Sequence, residues 1–141
     1  MNSLTNAKKL LSKRNAEFVV VCDEAVHISY EKGICPILNW LKKDRDFFNG
    51  ATVADRSLGL AHAYLLAFGG VQKVYASSIS PAAAKVLDQY GIEYEFGVQH
   101  QHVPGCGAHD LCMAESIENN VSSPEEAYVR FMEMSNNNVI H

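Results

Sequence analysis

Apolar and polar residues alternate along this chain in two distinct rhythms. Over residues 3–14, Leu4, Ala7, Leu10 and Leu11 recur on one helical face behind Ser3, a residue able to cap the first turn. Phe18-Val19-Val20-Val21-Cys22 is a β-branched run that reads as a buried strand. After the turn at Asp23-Glu24, Val26-His27-Ile28-Ser29-Tyr30 alternates, so the two runs predict a hairpin. Pro36 suits the first turn of a helix over Pro36–Lys43, with Ile37, Leu38, Trp40 and Leu41 on its apolar face and Trp40 as a core anchor.

The stretch Val53–Phe68 has the strongest helical signal, because Val53, Leu58, Ala61, Leu65 and Phe68 repeat at helical spacing until Gly69-Gly70. Val71–Ile79 predicts a central strand, and Ser80-Pro81 opens a helix that runs through Tyr90 to Gly91. Ile92–Val98 predicts another strand, Gln99–Asp110 a loop and Leu111–Glu118 a short helix. Ser122-Ser123-Pro124-Glu125-Glu126 is a strong helix start, with a hydroxyl cap, an early proline and acids in the first turn. That last helix runs to about Met134, ahead of a frayed tail over about 135–141. The order α-β-β-α-α-β-α-β-α-α places a hairpin before βαβ units and predicts one domain over 1–141. Its fold class is α/β, a three-layer α/β/α sandwich with a mixed sheet.

Composition narrows the function. With 48% hydrophobic and 20% charged residues, 141 residues suffice for a folded core. The net charge of −4 and the lack of a basic stripe argue against a general nucleic-acid binder. Lys8, Lys9, Lys13 and Arg14 read as the solvated face of the first helix. No apolar run approaches the ~20 residues that cross a bilayer, and the N-terminus lacks a signal core. Four scattered cysteines do not form a disulfide framework, so a reducing cytoplasm is expected.

Ala54-Asp55-Arg56-Ser57-Leu58-Gly59-Leu60-Ala61-His62-Ala63, Gly69-Gly70-Val71-Gln72-Lys73-Val74-Tyr75-Ala76, Ser80-Pro81-Ala82-Ala83-Ala84, Gly91-Ile92-Glu93 and Leu111-Cys112-Met113-Ala114-Glu115 follow one another in order. In this order and spacing the chain resembles the uncharacterised family called domain of unknown function 1893, from about residue 4 to residue 133. The resemblance implies a cytidine deaminase-like fold. The chain departs from the family pattern at Leu60, where a lysine is common, and at Cys112-Met113-Ala114-Glu115, where the pattern is Cys-Pro-Met-Glu.

A zinc deaminase needs His-x-Glu at one helix start and Pro-Cys-x-x-Cys at the next. The nearest counterparts, His62-Ala63-Tyr64 and Pro81-Ala82-Ala83-Ala84-Lys85, put Tyr64 in place of the glutamate and Ala82 and Lys85 in place of the thiolates. An alanine binds no metal, and a phenol with a pKa of ~10 is a poor proton shuttle at neutral pH. Zinc deamination is therefore argued against, and His62 reads as a helix histidine satisfied by a hydrogen bond.

Several groups remain candidates. Cys112, at the start of a short helix, is a candidate nucleophile, with Glu115 on the same side and His109 as a base or ligand contact. In the deaminase-like fold the helix front carrying Asp55 faces the pocket, and Ser78 and Ser80 mark a strand-to-helix turn where an anion can sit. The pocket of a small, possibly nucleotide-like molecule would then lie between Asp55, the Ser78–Ser80 turn and the Cys112 loop. His100, His102, Cys106, His109 and Cys112 have spacings that a transition metal could use, which gives a second reading as a metal-binding or redox-sensing module. A third is a non-catalytic scaffold that self-associates as a homo-oligomer. The sequence calls for no cofactor.

If Cys112 is a nucleophile, its alkylation rate between about pH 6 and pH 9, followed by mass spectrometry, will show an apparent pKa below ~8.5, the ordinary thiol value. A value at or above that figure would mark the thiol as inert.

Overall fold

The computed structural model describes residues 3–99 and 121–136. Ten elements occur among them: α1 (Ser3–Lys13), β1 (Phe18–Cys22), β2 (Ala25–Ser29), α2 (Cys35–Lys43), β3 (Thr52–Leu58), α3 (Leu60–Gly69), β4 (Lys73–Ile79), α4 (Pro81–Gln89), β5 (Glu93–Gln99) and α5 (Pro124–Asn136). The strands form one mixed sheet in the order β2-β1-β3-β4-β5. β1 runs antiparallel to β2 and β3, whereas β3, β4 and β5 are mutually parallel.

Alternation along the strands sorts side chains to the two faces. Val19, Val21 and Ala54 meet Ala7 and Leu11 of α1 in a small core. Phe18, Val20, Val53, Val74 and Ala76 point the other way into a larger core built with α2, α3, α4 and α5. The architecture is the three-layer α/β sandwich expected from the pattern of elements.

One element differs from expectation. The stretch Val53–Phe68 is not a single helix, because Thr52–Leu58 is a strand and α3 begins only at Leu60. Thr52 through Asp55 are buried one after another. A central strand covered on both faces loses its polar alternation and can mimic a helical repeat. Gly59, in an extended conformation, marks the change from strand to helix. The sheet therefore has five strands among the described residues rather than four, and the extra one lies at its centre.

The other ends follow local chemistry. Ser80 caps α4 by accepting from the Ala83 amide at 3.1 Å. At α5, Ser123 Oγ accepts from the Glu126 amide at 3.2 Å, while the Glu126 carboxylate reaches back to the Ser122 amide and hydroxyl. Gly70 closes α3 in the left-handed region, at φ 82°. Trp40 does not serve as the buried anchor of the core. It is half-buried and stacks on Phe47 at 5.1 Å, with Phe18 and Phe48 beneath it. The fully buried aromatics among the described residues are Phe48 and Phe131. At the far end, the Arg45 guanidinium lies 3.7 Å from the centre of the Phe68 ring, which stacks on Tyr128 at 4.2 Å and ties α5 to α3.

Phe48 also explains the glycine at the end of α3. A Cβ on Gly69 would come within 2.8 Å of the Phe48 Cβ, an atom too near the backbone to swing aside. Helix propensity alone would make Gly69→Ala favourable by about 1 kcal/mol. The clash should reverse the sign, to a loss of about 1–3 kcal/mol. Urea unfolding will show this as a lower midpoint at unchanged slope, and a raised midpoint would refute the contact.

Candidate functional site

Strand β3 brings a carboxylate into the interior. Asp55 pairs in register with Phe18 of β1 and Ala76 of β4, and its side chain points to the larger core. Seven residues later, the first turn of α3 turns His62 back towards it. His62 Nδ1 and Asp55 Oδ2 are 2.7 Å apart, and the residues are 6% and 2% exposed. The other carboxylate oxygen, Oδ1, accepts from the Ser57 amide at 3.2 Å.

Each of these contacts restricts the pair. A carboxylate only accepts hydrogen bonds, so the ring hydrogen sits on Nδ1 and Nε2 becomes the basic atom of the neutral ring. The Ser57 amide fixes the carboxylate plane from the other side. An imidazole oriented by a buried carboxylate is an arrangement suited to proton transfer.

The pair borders a cleft. Gly33, Pro36 and Ile37 close it from the start of α2, Glu17 and Phe18 from the start of β1, and Asp55, Ser57 and His62 form its floor. Glu31 and Lys32 stand exposed at the rim. The free volume is about 10 Å³. That is the threshold for one water molecule and far below the few hundred Å³ of an organic-ligand pocket.

The residues expected from the sequence divide into three groups. Asp55 belongs to the site, but as a strand residue and not at a helix front as expected. Ser78 is the register partner of Ser57, so it stands on the same sheet face one strand away. Ser80 is the α4 cap and does not line the cleft. Cys112, Glu115, His109, His100, His102 and Cys106 lie outside the described residues. Among the described residues, no three His, Cys, Asp or Glu side chains converge in a way that could hold a metal. No described helix is long and apolar enough to cross a membrane.

Sequence reasoning treated Asp55 and His62 separately and missed their pairing. The signal was present in part: an acid and a histidine flank Gly59, the glycine between β3 and α3, in a stretch that is otherwise mostly apolar. Tyr64, the residue set against the deaminase glutamate, is a phenol whose pKa burial pushes above its ordinary value, with the charges of Tyr90 and Glu126 adding to the shift. It stays protonated at neutral pH. Lys85 and Tyr64 are on α4 and α3, and neither borders the cleft.

Comparison with known proteins gives a family but not an activity. No curated protein matches the chain. Among solved structures, a DUF1893 family protein (TM1506) from Thermotoga maritima superposes with a TM-score of 0.78 at 22% identity. The match covers 94% of this chain and 89% of the other. At that identity the likeness speaks for the fold. The family model described as a domain of unknown function, DUF1893, matches residues 6–134, so the chain belongs to the DUF1893 family.

Proposed function

We propose that this protein binds a small polar molecule at the mouth of the Asp55–His62 cleft and acts on it by proton transfer through His62. The observation that carries this reading is the 2.7 Å contact between a buried imidazole and a buried carboxylate beside a space for about one water. An enclosed, hydrogen-bonded pair of titratable side chains in a cleft is a frequent feature of a working site. In this role Asp55 orients the ring and supports positive charge on it, while the imidazole takes a proton from the ligand. Ser57 and Ser78 add hydroxyls on the same sheet face. A nucleoside-like ligand is the class that would suit the deaminase-like scaffold implied by the family resemblance.

The deaminase-like layout that the family resemblance implies is compatible with a route without the deaminase zinc set. The cleft joins the starts of α2 and α3, so the two helix starts to compare with the zinc signature are these and not those of α3 and α4. In that register α2 offers Cys35-Pro36-Ile37, with isoleucine where the shuttle glutamate belongs. The β3–α3 junction offers Ser57-Leu58-Gly59-Leu60-Ala61, without a thiolate. Cys22 and Cys35 are thiols rather than disulfides, which favours a reducing, cytoplasmic setting.

The test is a titration with cytidine, uridine and their monophosphates, watching the His62 ring nitrogens and the Gly33 amide by NMR. A compound that acts here moves both. His62→Gln, with the fold checked by circular dichroism, should lower any turnover of that compound by about 10²–10⁴-fold, the usual worth of a general base. A bound compound that left the His62 signals unmoved, or turnover surviving in His62→Gln within about threefold, would remove the pair from the chemistry.

A further inference from the structure

The face of the sheet opposite the Asp55–His62 pair carries a second cavity. It measures about 290 Å³ and is lined by Lys8, Leu11, Ser12, Arg56, Tyr75 and Ser77. That is close to the lower bound for organic-ligand pockets, and far larger than the cleft beside His62. We propose that this cavity is a binding site for a small phosphate monoester.

The cavity exists because α1 covers the sheet only in part. The helix packs through Ala7 and Leu11 against Val19, Val21 and Ala54, on the β1 and β3 side. Towards β4 and β5 it presents Lys8 and Ser12, one helical turn apart, where a fully packed helix would present apolar side chains. The sheet below is equally bare. Between the register pairs Ala76–Phe96 and Ser78–Val98, Ser77 stands beside Gly97. A Cβ on Gly97 would lie 2.8 Å from the Ser77 carbonyl and 3.5 Å from the Tyr75 hydroxyl. The glycine therefore lets the strands lie close and leaves room beside the Tyr75 hydroxyl on that side.

The chemistry of the lining selects an anion. Two cations and three hydroxyls border the space, with no carboxylate among them. Arg56 is held in place: Nε donates to the Ala16 carbonyl at 2.9 Å, and Nη2 to the Leu11 carbonyl at 3.4 Å and to Asn15 Oδ1 at 3.3 Å. Those bonds use Nε and Nη2, so Nη1 and its two N–H groups remain for a ligand. A guanidinium fixed in this way gives directional donors without losing rotamer freedom on binding. Glu17 approaches Nε at 3.8 Å from the side of these bonds. Lys8 lies 4.8 Å over the Tyr75 ring and pairs with Glu95 at 3.3 Å, both side chains being about half exposed. An exposed pair of this kind contributes little, so a dianion can draw Lys8 away from Glu95. Phosphate has acceptors for every donor in the lining. The Tyr75 ring and Leu11 give the rest of a small ester an apolar surface.

The experiment is an amide NMR titration of the whole protein with ribose 5-phosphate and, separately, with inorganic phosphate, at constant ionic strength. Ribose 5-phosphate should move the Ser12, Arg56 and Ser77 amides saturably and leave the His62 ring unmoved, which separates this site from the cleft on the other face. It should bind about tenfold more tightly than inorganic phosphate, and Lys8→Gln should weaken it at least about fivefold. Lys8 is exposed, so that variant will fold, and Ser77→Ala gives a second reading from inside the cavity. Three results would each overturn the proposal. These are amides that move only with ionic strength, equal affinity for the two compounds, or unchanged affinity in both variants.

Discussion

Strand β3 is paired on both edges, antiparallel by β1 and parallel by β4, and this double pairing determines which face of the sheet Asp55 and Arg56 each occupy. A strand held on two sides cannot rotate about its axis, so consecutive residues are committed to opposite faces of the sheet. Asp55 is turned into the larger core and Arg56 towards α1. Both groups would prefer water, and each is retained by a neighbour that supplies what water would. For Asp55 these are the His62 ring and the Ser57 amide. For Arg56 they are the carbonyls at the C-terminal end of α1. A slip of one residue in the β3 register would exchange the two faces and leave a carboxylate under α1 and a guanidinium in the larger core, both without partners.

The Asp55–His62 pair is costly to bury and is therefore a weak explanation of stability. Desolvating a carboxylate and an imidazole offsets most of their attraction, and apolar residues of similar volume often do as well or better. Removing one partner is different, since it strands the other inside the core. A chain that needed only a well-packed junction between β3 and α3 had simpler choices available, as Leu65, Leu66 and Val53 around it show. Retaining such a pair at that cost is in keeping with the proton-transfer role proposed for it.

Much of this fold was legible in the sequence, and the failure at β3 has a physical cause. The hairpin, α2, β4, α4, β5 and α5 announce themselves through β-branched runs, caps and glycines, all of which act locally. β3 has no such signal. Val53 and Ala54 are buried because of what lies above and below the sheet, information that resides in distant residues such as Leu11, Val20 and Leu65. Once the strand was read as a helix, Asp55 became a helix-front charge and His62 a residue seven places down the same helix. Seven residues of helix would have placed both on one side, about 10 Å apart along the axis. Only a strand followed by a tight turn and a helix folds them back to 2.7 Å. The pairing was hidden by the same error that hid the strand.

The two cavities differ in a way that follows from what covers each face. The larger core is sealed by four described helices, and the space left beside His62 is the size of a water molecule. On the other face a single described helix, eleven residues long, packs mainly on β1 and β3 and leaves polar side chains over β4. A small enclosed space favours proton movement, because little solvent competes and the groups are fixed. A larger open space lined with fixed donors favours capture of a charged group. Arg56 joins the two faces mechanically as well as by sequence. Its bonds to Leu11 and Ala16 tie the end of α1 and the turn after it to the strand that carries Asp55.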